Sequence, residues 1–164
     1  MSPAKVRAKI RALRSVDLGF AEPGEALRFF SNVWNLTPVI EAAGVHYLRG
    51  SGAFHHILTI RKAAKPGLIR MVFDAADRAA VDALHAQVVA HGIISIYPPR
   101  LLRQPHGEYG FGFMDPEGRN IAIVCGVEDH RGGGDAPDRP RKLSHVNLNS
   151  GDSAATLACY RDAL

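Results

Sequence analysis

Cysteine is scarce in this chain. There are two, Cys125 and Cys159, in 164 residues, with no short paired spacing between them. That excludes a disulfide framework and a cysteine-rich zinc site, and it suits a reducing, cytoplasmic setting. Long apolar runs are also missing: nothing approaches the roughly 20 residues that a bilayer span requires, so no membrane partner is expected. The basic N-terminus Met1–Ser15 has no continuous apolar stretch behind it and does not read as a signal peptide. Aromatic residues make up only 7% of the chain, and they are not interleaved with basic ones. The net charge of +4 is scattered apart from the run Lys5–Arg14. We read that run as a solvated basic segment and expect no nucleic-acid binding. What the chain does have is apolar material for a core, 46% hydrophobic against 22% charged residues.

Hydrophobic periodicity organises the first 127 residues into two similar units. Leu13–Phe20 alternates, with Val16, Leu18 and Phe20 on one face, and predicts a strand. After a turn at Ala21–Gly24, Glu25–Trp34 places Leu27, Phe30 and Val33 or Trp34 at helical spacing. Strands are expected at Val39–Ala42, Val45–Arg49 and His55–Arg61, with Gly44, Gly50 and Gly52 as turn residues. The order then repeats. Leu68–Asp74 predicts a strand, and Ala76–His91 a helix with Val81, Leu84, Val88 and Val89 inward, closed by Gly92. Ile93–Tyr97 is a further strand cut by Pro98–Pro99, and Gly110–Met114 pairs with Asn120–Cys125 across Asp115–Gly118. The fold class is therefore α+β, built from paired βαβββ units. Residues 128–142, rich in Gly, Pro, Asp and Arg, read as a linker with little to bury.

Beyond the linker the first strand returns. Leu143–Ser150 lies over Leu13–Phe20 at a constant offset of 130 residues, matching Leu13 with Leu143, Val16 with Val146 and Leu18 with Leu148. The register continues into the next helix, where Leu27 meets Leu157 and Phe30 meets Tyr160. A second module is therefore expected to start in 143–164, which makes the chain read as a fragment of a longer parent. The alternative is a terminal helix docked on the first module or on a neighbouring molecule.

Several stretches resemble the vicinal oxygen chelate superfamily, and within it the type I extradiol dioxygenases. They are Ser15–Phe20, Tyr47–Arg49 leading to His55–Leu58, Pro66–Leu68 leading to Met71–Phe73, and Phe113–Gly118. The resemblance covers about residues 10–164 and implies the vicinal oxygen chelate fold, with residues 1–127 as an N-terminal module. Metal ligands in that superfamily occupy equivalent strand positions, which here carry Ser15, Arg70 and Ala122. Alanine and a cationic arginine cannot ligate a divalent metal, and serine alone is a poor ligand, so no cofactor is expected in this chain. Where module one has Ser15, the second module has His145, the position of the family's first iron ligand. The resemblance thus implies Fe(II) (or Mn) and a catechol-type aromatic substrate in the full-length parent, with this module non-catalytic and the protein a homo-oligomer. The alternative is a metal-independent small-molecule-binding protein of the glyoxalase/bleomycin resistance type.

The remaining histidines read as structural or surface residues. His55 and His56, taken as strand neighbours, should point to opposite faces. His85 and His91 lie six residues apart on a helix, which is not a single-face metal pair, and His46 and His106 are isolated. Cys125 should pack as a small hydrophobe. Pro98–Gly110, carrying Arg100, Arg103, His106 and Glu108, is a long loop of the kind that borders a cavity.

Overall fold

The computed structural model describes residues 8–104, 108–130 and 136–164. His106, Gly132–Gly134 and the first part of the basic run from Lys5 lie outside those residues. The first unit comprises β1 (Ala12–Phe20), α1 (Pro23–Asn32), β2 (Thr37–Ala42), β3 (Val45–Arg49) and β4 (Leu58–Lys62). The second comprises β5 (Gly67–Asp74), α2 (Arg78–Ala90), β6 (Ser95–Leu101), β7 (Tyr109–Met114) and β8 (Asn120–Cys125). The eight strands form one mixed sheet in the order β2-β3-β4-β1-β5-β8-β7-β6. In each unit the first strand runs parallel to the last, β1 with β4 and β5 with β8, and the antiparallel pair β1–β5 joins the units. This is the α+β architecture of paired βαβββ units that the periodicity predicts.

The alternation of the strands decides which face is apolar. Met71, Phe111, Phe113, Ile121, Ile123 and Cys125 project to the side covered by α2, against Val81, Leu84 and Val88. Leu48, Leu58 and Ile60 project the same way under α1, against Ala26 and the partly buried Leu27 and Phe30. Asp77 caps α2 by accepting from the Ala80 amide at 2.8 Å, and Gly92 (φ +71°) follows its C-terminus as expected. The hairpin turn also forms as read: the Gly118 amide donates to the Asp115 carbonyl, and Gly118 takes φ +75°.

Four expectations need correction. First, α1 begins at Pro23, inside the predicted turn, because a proline at the first helical position loses no hydrogen bond. It ends before Trp34. Asn35 at φ +54° turns the chain so that the Leu36 amide reaches the Phe30 carbonyl at 3.0 Å, leaving Val33 and Trp34 exposed. Second, Pro98 and Pro99 do not cut β6, which runs on to Leu101 and so shortens the expected long loop. As an edge strand it needs ladder bonds on one side only, and its pairing with β7 is irregular across Tyr97–Arg100. Third, β4 starts at Leu58, so His55 and His56 sit in the preceding loop and not on a strand. Their Nδ1 atoms lie 3.2 Å apart, where a strand would have held the rings on opposite faces.

The fourth correction concerns the linker, whose described residues pack on the body. The Ser51 and Gly52 amides donate to the carbonyls of Pro140 and Arg141, both at 3.0 Å. A Cβ on Gly50 or Gly52 would collide with those same carbonyls, so both glycines permit close backbone approach and do more than turn the chain. Asn35 Nδ2 donates to the Asp138 carbonyl at 2.8 Å, and the His130 amide to the Ala53 carbonyl at 2.6 Å. Past the linker, 143–150 carries no strand pairing. α3 (Ser153–Ala158) then runs into one wide π-helical turn, Cys159–Ala163, which packs with Leu164 against the α2 side of the core.

Candidate functional site

The sheet curls towards its helix-free face. Tyr47 on β3 donates its hydroxyl to Gln104 Oε1, just past β6, at 3.3 Å. Those strands lie six places apart in the sheet order, which in a flat sheet would be on the order of 29 Å. Curling encloses the side chains that alternate away from the core, among them Ser15 and Asp17 on β1, Thr59 on β4, and Arg70, Val72 and Asp74 on β5. The small residues of the second unit belong here too: Ala122 and Val124 on β8 face Gly112 and Gly110 on β7. Gly112 is small because the Tyr97 ring lies across it.

At the centre of this face is an ion pair. Arg70 donates Nε to Asp17 Oδ2 at 2.8 Å, and its Nη2 lies 2.7 Å from the same oxygen. Asp17 Oδ1 accepts from the Thr59 hydroxyl at 2.8 Å, and Arg61 Nη2 stands 3.6 Å from Oδ2. Asp17 is 1% exposed, so its carboxylate is held by these partners and not by water. Next along β1 a bulge between Leu13 and Ser15 leaves Arg14 without a cross-strand partner and turns it to the same side. Its Nη1 reaches Asp74 Oδ1 at 3.4 Å, and its guanidinium lies 4.8 Å from the Phe54 ring centre.

Titrating groups cluster round these charges. Burial pushes the Glu108 carboxyl above its usual range, against the pull of Arg70 and Arg14. Burial likewise raises Asp74, outweighing Arg11 at 3.1 Å and Arg14. The Tyr47 and Tyr97 hydroxyls are raised by burial, Tyr97 while lying beside Arg70. Arg100, at the rim, stacks 4.7 Å above the Tyr97 ring, and Arg103 is exposed.

The three predicted metal positions share this face. Ser15 pairs with Val72, Val72 pairs with Ala122, and Arg70 lies one alternation along β5. They do not fit a metal. Ala122 offers no donor, and the Arg70 guanidinium spends its side-on edge on Asp17, placing a cation where a divalent ion would have to bind. Among the described residues no group of three or more His, Cys, Asp and Glu could hold one. His145 is not brought to this face. It is exposed and borders a cavity of about 420 Å³ on the α2 side, with Leu13, Met71, Phe73, Val146 and Tyr160.

The other candidates are placed in supporting roles. His85 Nε2 meets the Ser95 hydroxyl at 3.1 Å, and His46 lies 3.6 Å from Glu41. Cys125 is buried and its thiol pushed up by burial, as a packed hydrophobe should be. Sequence reasoning overlooked Arg14, Asp17, Thr59 and the two tyrosines. The available signal was that Asp17 and Arg70 are charged residues set between apolar neighbours in two strands, and so share a buried face.

The chain is similar to a Mn(II)-bound glyoxalase from Novosphingobium aromaticivorans, with 30% identity and a TM-score of 0.89 over 94% of this chain and 52% of that one. Homoprotocatechuate 2,3-dioxygenase from Brevibacterium fuscum gives 19% identity and a TM-score of 0.74 over 87% of this chain and 42% of the other. The enzyme of that name from Arthrobacter globiformis gives 18% and 0.74, over 87% and 46%. The chain therefore spans about half the length of these proteins. No protein-family profile and no curated protein matches it. The fold is that of a vicinal oxygen chelate module. Its likeness to a glyoxalase and to dioxygenases of this fold is consistent with the vicinal oxygen chelate superfamily.

Proposed function

We propose that this chain is the metal-free N-terminal module of a longer vicinal oxygen chelate enzyme, residues 1–127, with 128–142 as the connection and 143–164 opening the metal-bearing module. The observation that carries this reading is that Arg70, at one of the positions the resemblance gives to a metal ligand, is paired with Asp17. A buried cation paired in-chain is a structural solution, and it removes the electrophile from this module. The coverage of about half of each longer relative supports the same division. The parent is then an extradiol dioxygenase acting on catechol-type diols with dioxygen, its Fe(II) (or Mn) ligated first by His145. Exposed Phe29, Val33 and Trp34 suit association of such subunits in a cytoplasmic homo-oligomer.

A second reading has its own support. The glyoxalase shows higher identity and a higher TM-score than the dioxygenases, which favours metal-dependent glyoxalase-type chemistry in the parent.

The coding sequence beyond residue 164 is the test. The offset of 130 places a histidine at about 200 and a glutamate at about 252, which would complete a 2-His-1-carboxylate triad. Metal-loaded parent should consume dioxygen with catechols. A complete triad without dioxygen uptake moves the reading to the glyoxalase type. A stop codon or other residues at both positions would leave a metal-independent binding protein.

A further inference from the structure

Helix α1 ends in an apolar strip that this module does not use. Phe29, Val33 and Trp34 are 48%, 64% and 46% exposed, and Phe29 also lines a groove of about 460 Å³ with Phe20, Phe30 and Pro66. The offset of 130 residues gives the three positions counterparts at the other end of the chain: Cys159, Ala163 and Leu164. Those are 6%, 1% and 7% exposed, because they lie on the α2 side of this module. The same strip of the repeated helix is bare in the first copy and covered in the second. Elsewhere on the helix the contrast reverses. Leu27 packs in the core under α1, while its counterpart Leu157 is 59% exposed.

Directional bonds hold the covered copy in place. Gln87 on α2 donates to the Ala163 carbonyl at 3.3 Å, and the Tyr160 hydroxyl donates to Asp115 in the β7–β8 turn at 3.0 Å. Glu117 in the same turn accepts from the Ser150 hydroxyl and the Asp152 amide at 2.6 and 2.9 Å. Helix α2 and the β7–β8 turn are thus a seat for residues 150–164. The likeness to the longer glyoxalase covers 94% of this chain, more than residues 1–142 could supply, so it extends into the seated segment.

We propose that the two modules pack about a quasi-two-fold axis, with the Phe29–Val33–Trp34 strip as the docking surface for the second module. The proposal rests on the reading that residues 143–164 open such a module. The offset names the occupant. The counterpart of α2, at about 208–220, covers the strip, and the counterpart of the β7–β8 turn, at about 245–249, enters the groove beside Phe29. In a two-fold arrangement each contact occurs twice, so the contact made by Cys159, Ala163 and Leu164 recurs at Phe29, Val33 and Trp34. A head-to-tail arrangement would make it once and leave three large side chains in water. The strip suits association between subunits, but the second module is tethered beside it, at an effective concentration that free subunits do not reach. The two helix-free faces then point away from each other.

Trp34 is the single tryptophan of this chain and reports on the strip directly. 5-Fluorotryptophan is incorporated into this chain and into the product of the longer coding sequence, and the Trp34 ¹⁹F resonance is assigned with Trp34→Phe. Its relaxation by a soluble gadolinium chelate, measured at high dilution, is expected to fall by about fivefold or more in the longer product, as burial in an interface core requires. Val33→Lys should leave the urea midpoint of this chain unchanged and lower that of the longer product by about 0.5 M or more, because only there is the charge buried. Equal relaxation in the two proteins overturns the proposal, as does an equal midpoint shift. So does protection of Trp34 in this chain that rises with concentration, which would give the strip to a second copy. A second module with a complete metal triad and an open Trp34 removes this inference alone. A coding sequence that stops after residue 164 removes both it and the reading on which it rests.

Discussion

The two faces of the sheet solve burial in opposite ways. On the helix side, Phe111, Phe113, Ile121 and Ile123 meet Val81, Leu84 and Val88, and the packing among these apolar side chains is non-directional. On the other side β1, β4 and β5 bury Arg14, Ser15, Asp17, Thr59 and Asp74, and there Asp17 depends on Thr59 and Arg70 at fixed distances. The difference teaches that this module does not fill its helix-free face with hydrophobes. It keeps a charged interior and neutralises it internally. Errors on the two faces should therefore have different energetic signatures.

The largest expected effect comes from breaking the ion pair on one side. Asp17→Ala leaves Arg70, Arg61 and the Thr59 hydroxyl without their shared acceptor and should destabilise the chain by about 3–5 kcal/mol in urea unfolding. Replacing the whole group (Asp17→Leu, Thr59→Val and Arg70→Met together) should give a protein between equally stable and about 4 kcal/mol more stable. If the triple variant is as unstable as the single one, the polar face contributes more than mutual neutralisation and the contrast between the faces fails.

Gly112→Ala probes the same face through shape. An added Cβ would sit 2.5 Å from Tyr97 Cε1, so the ring must move or the β6–β7 pairing must yield. About 1–3 kcal/mol of destabilisation is expected. Tyr97→Leu in the same chain should recover part of it, because the clash is with the ring. Ile123→Val, on the apolar face, should cost only about 0.5–1.5 kcal/mol, the loss of one methyl group from a well-packed core. A larger loss there than at Gly112 would reverse the ranking of the two faces.

Much of the fold was legible because it rests on periodicity. β3 and β8 fall on their expected residues, and α2 follows from Val81, Leu84 and Val88 with Gly92 behind them. What was not legible depends on neighbours. Pro98 and Pro99 stay in β6 only because nothing pairs on its outer edge, a fact of sheet order. Leu143–Ser150 repeats the pattern of β1 yet carries no strand pairing, because alternation supplies a face and a ladder needs an adjacent chain. The site divides similarly. That Ser15, Arg70 and Ala122 make no metal site is a matter of side-chain chemistry and can be read directly. That Arg70 closes on Asp17 requires the β1–β5 register, in which those two residues stand opposite each other.

The smallest effect is also the most selective, because it depends on pH. Burial raises Glu108 in the folded chain, while Arg70 and Arg14 oppose that and Asp17 adds to it. Between the ordinary carboxylate value and the raised one, the folded state holds a proton that the unfolded state has released. Stability from this group is therefore full below the unfolded pKa and falls as pH rises through the folded value. Glu108→Gln removes that dependence while keeping size and hydrogen-bonding atoms. The variant should be more stable than the parent chain at pH 7, and the gap should close as the pH drops below the ordinary carboxylate range. Urea midpoints of the two proteins, measured side by side from acid to neutral pH, isolate Glu108 from Asp74, whose raised carboxyl both chains share. A gap of opposite sign would mean that Arg14 and Arg70 win over burial, making Glu108 an ionised partner of the polar face. A gap that does not vary with pH would mean that Glu108 does not titrate differently on folding, and that the two arginines are balanced by Asp17 and Asp74 alone.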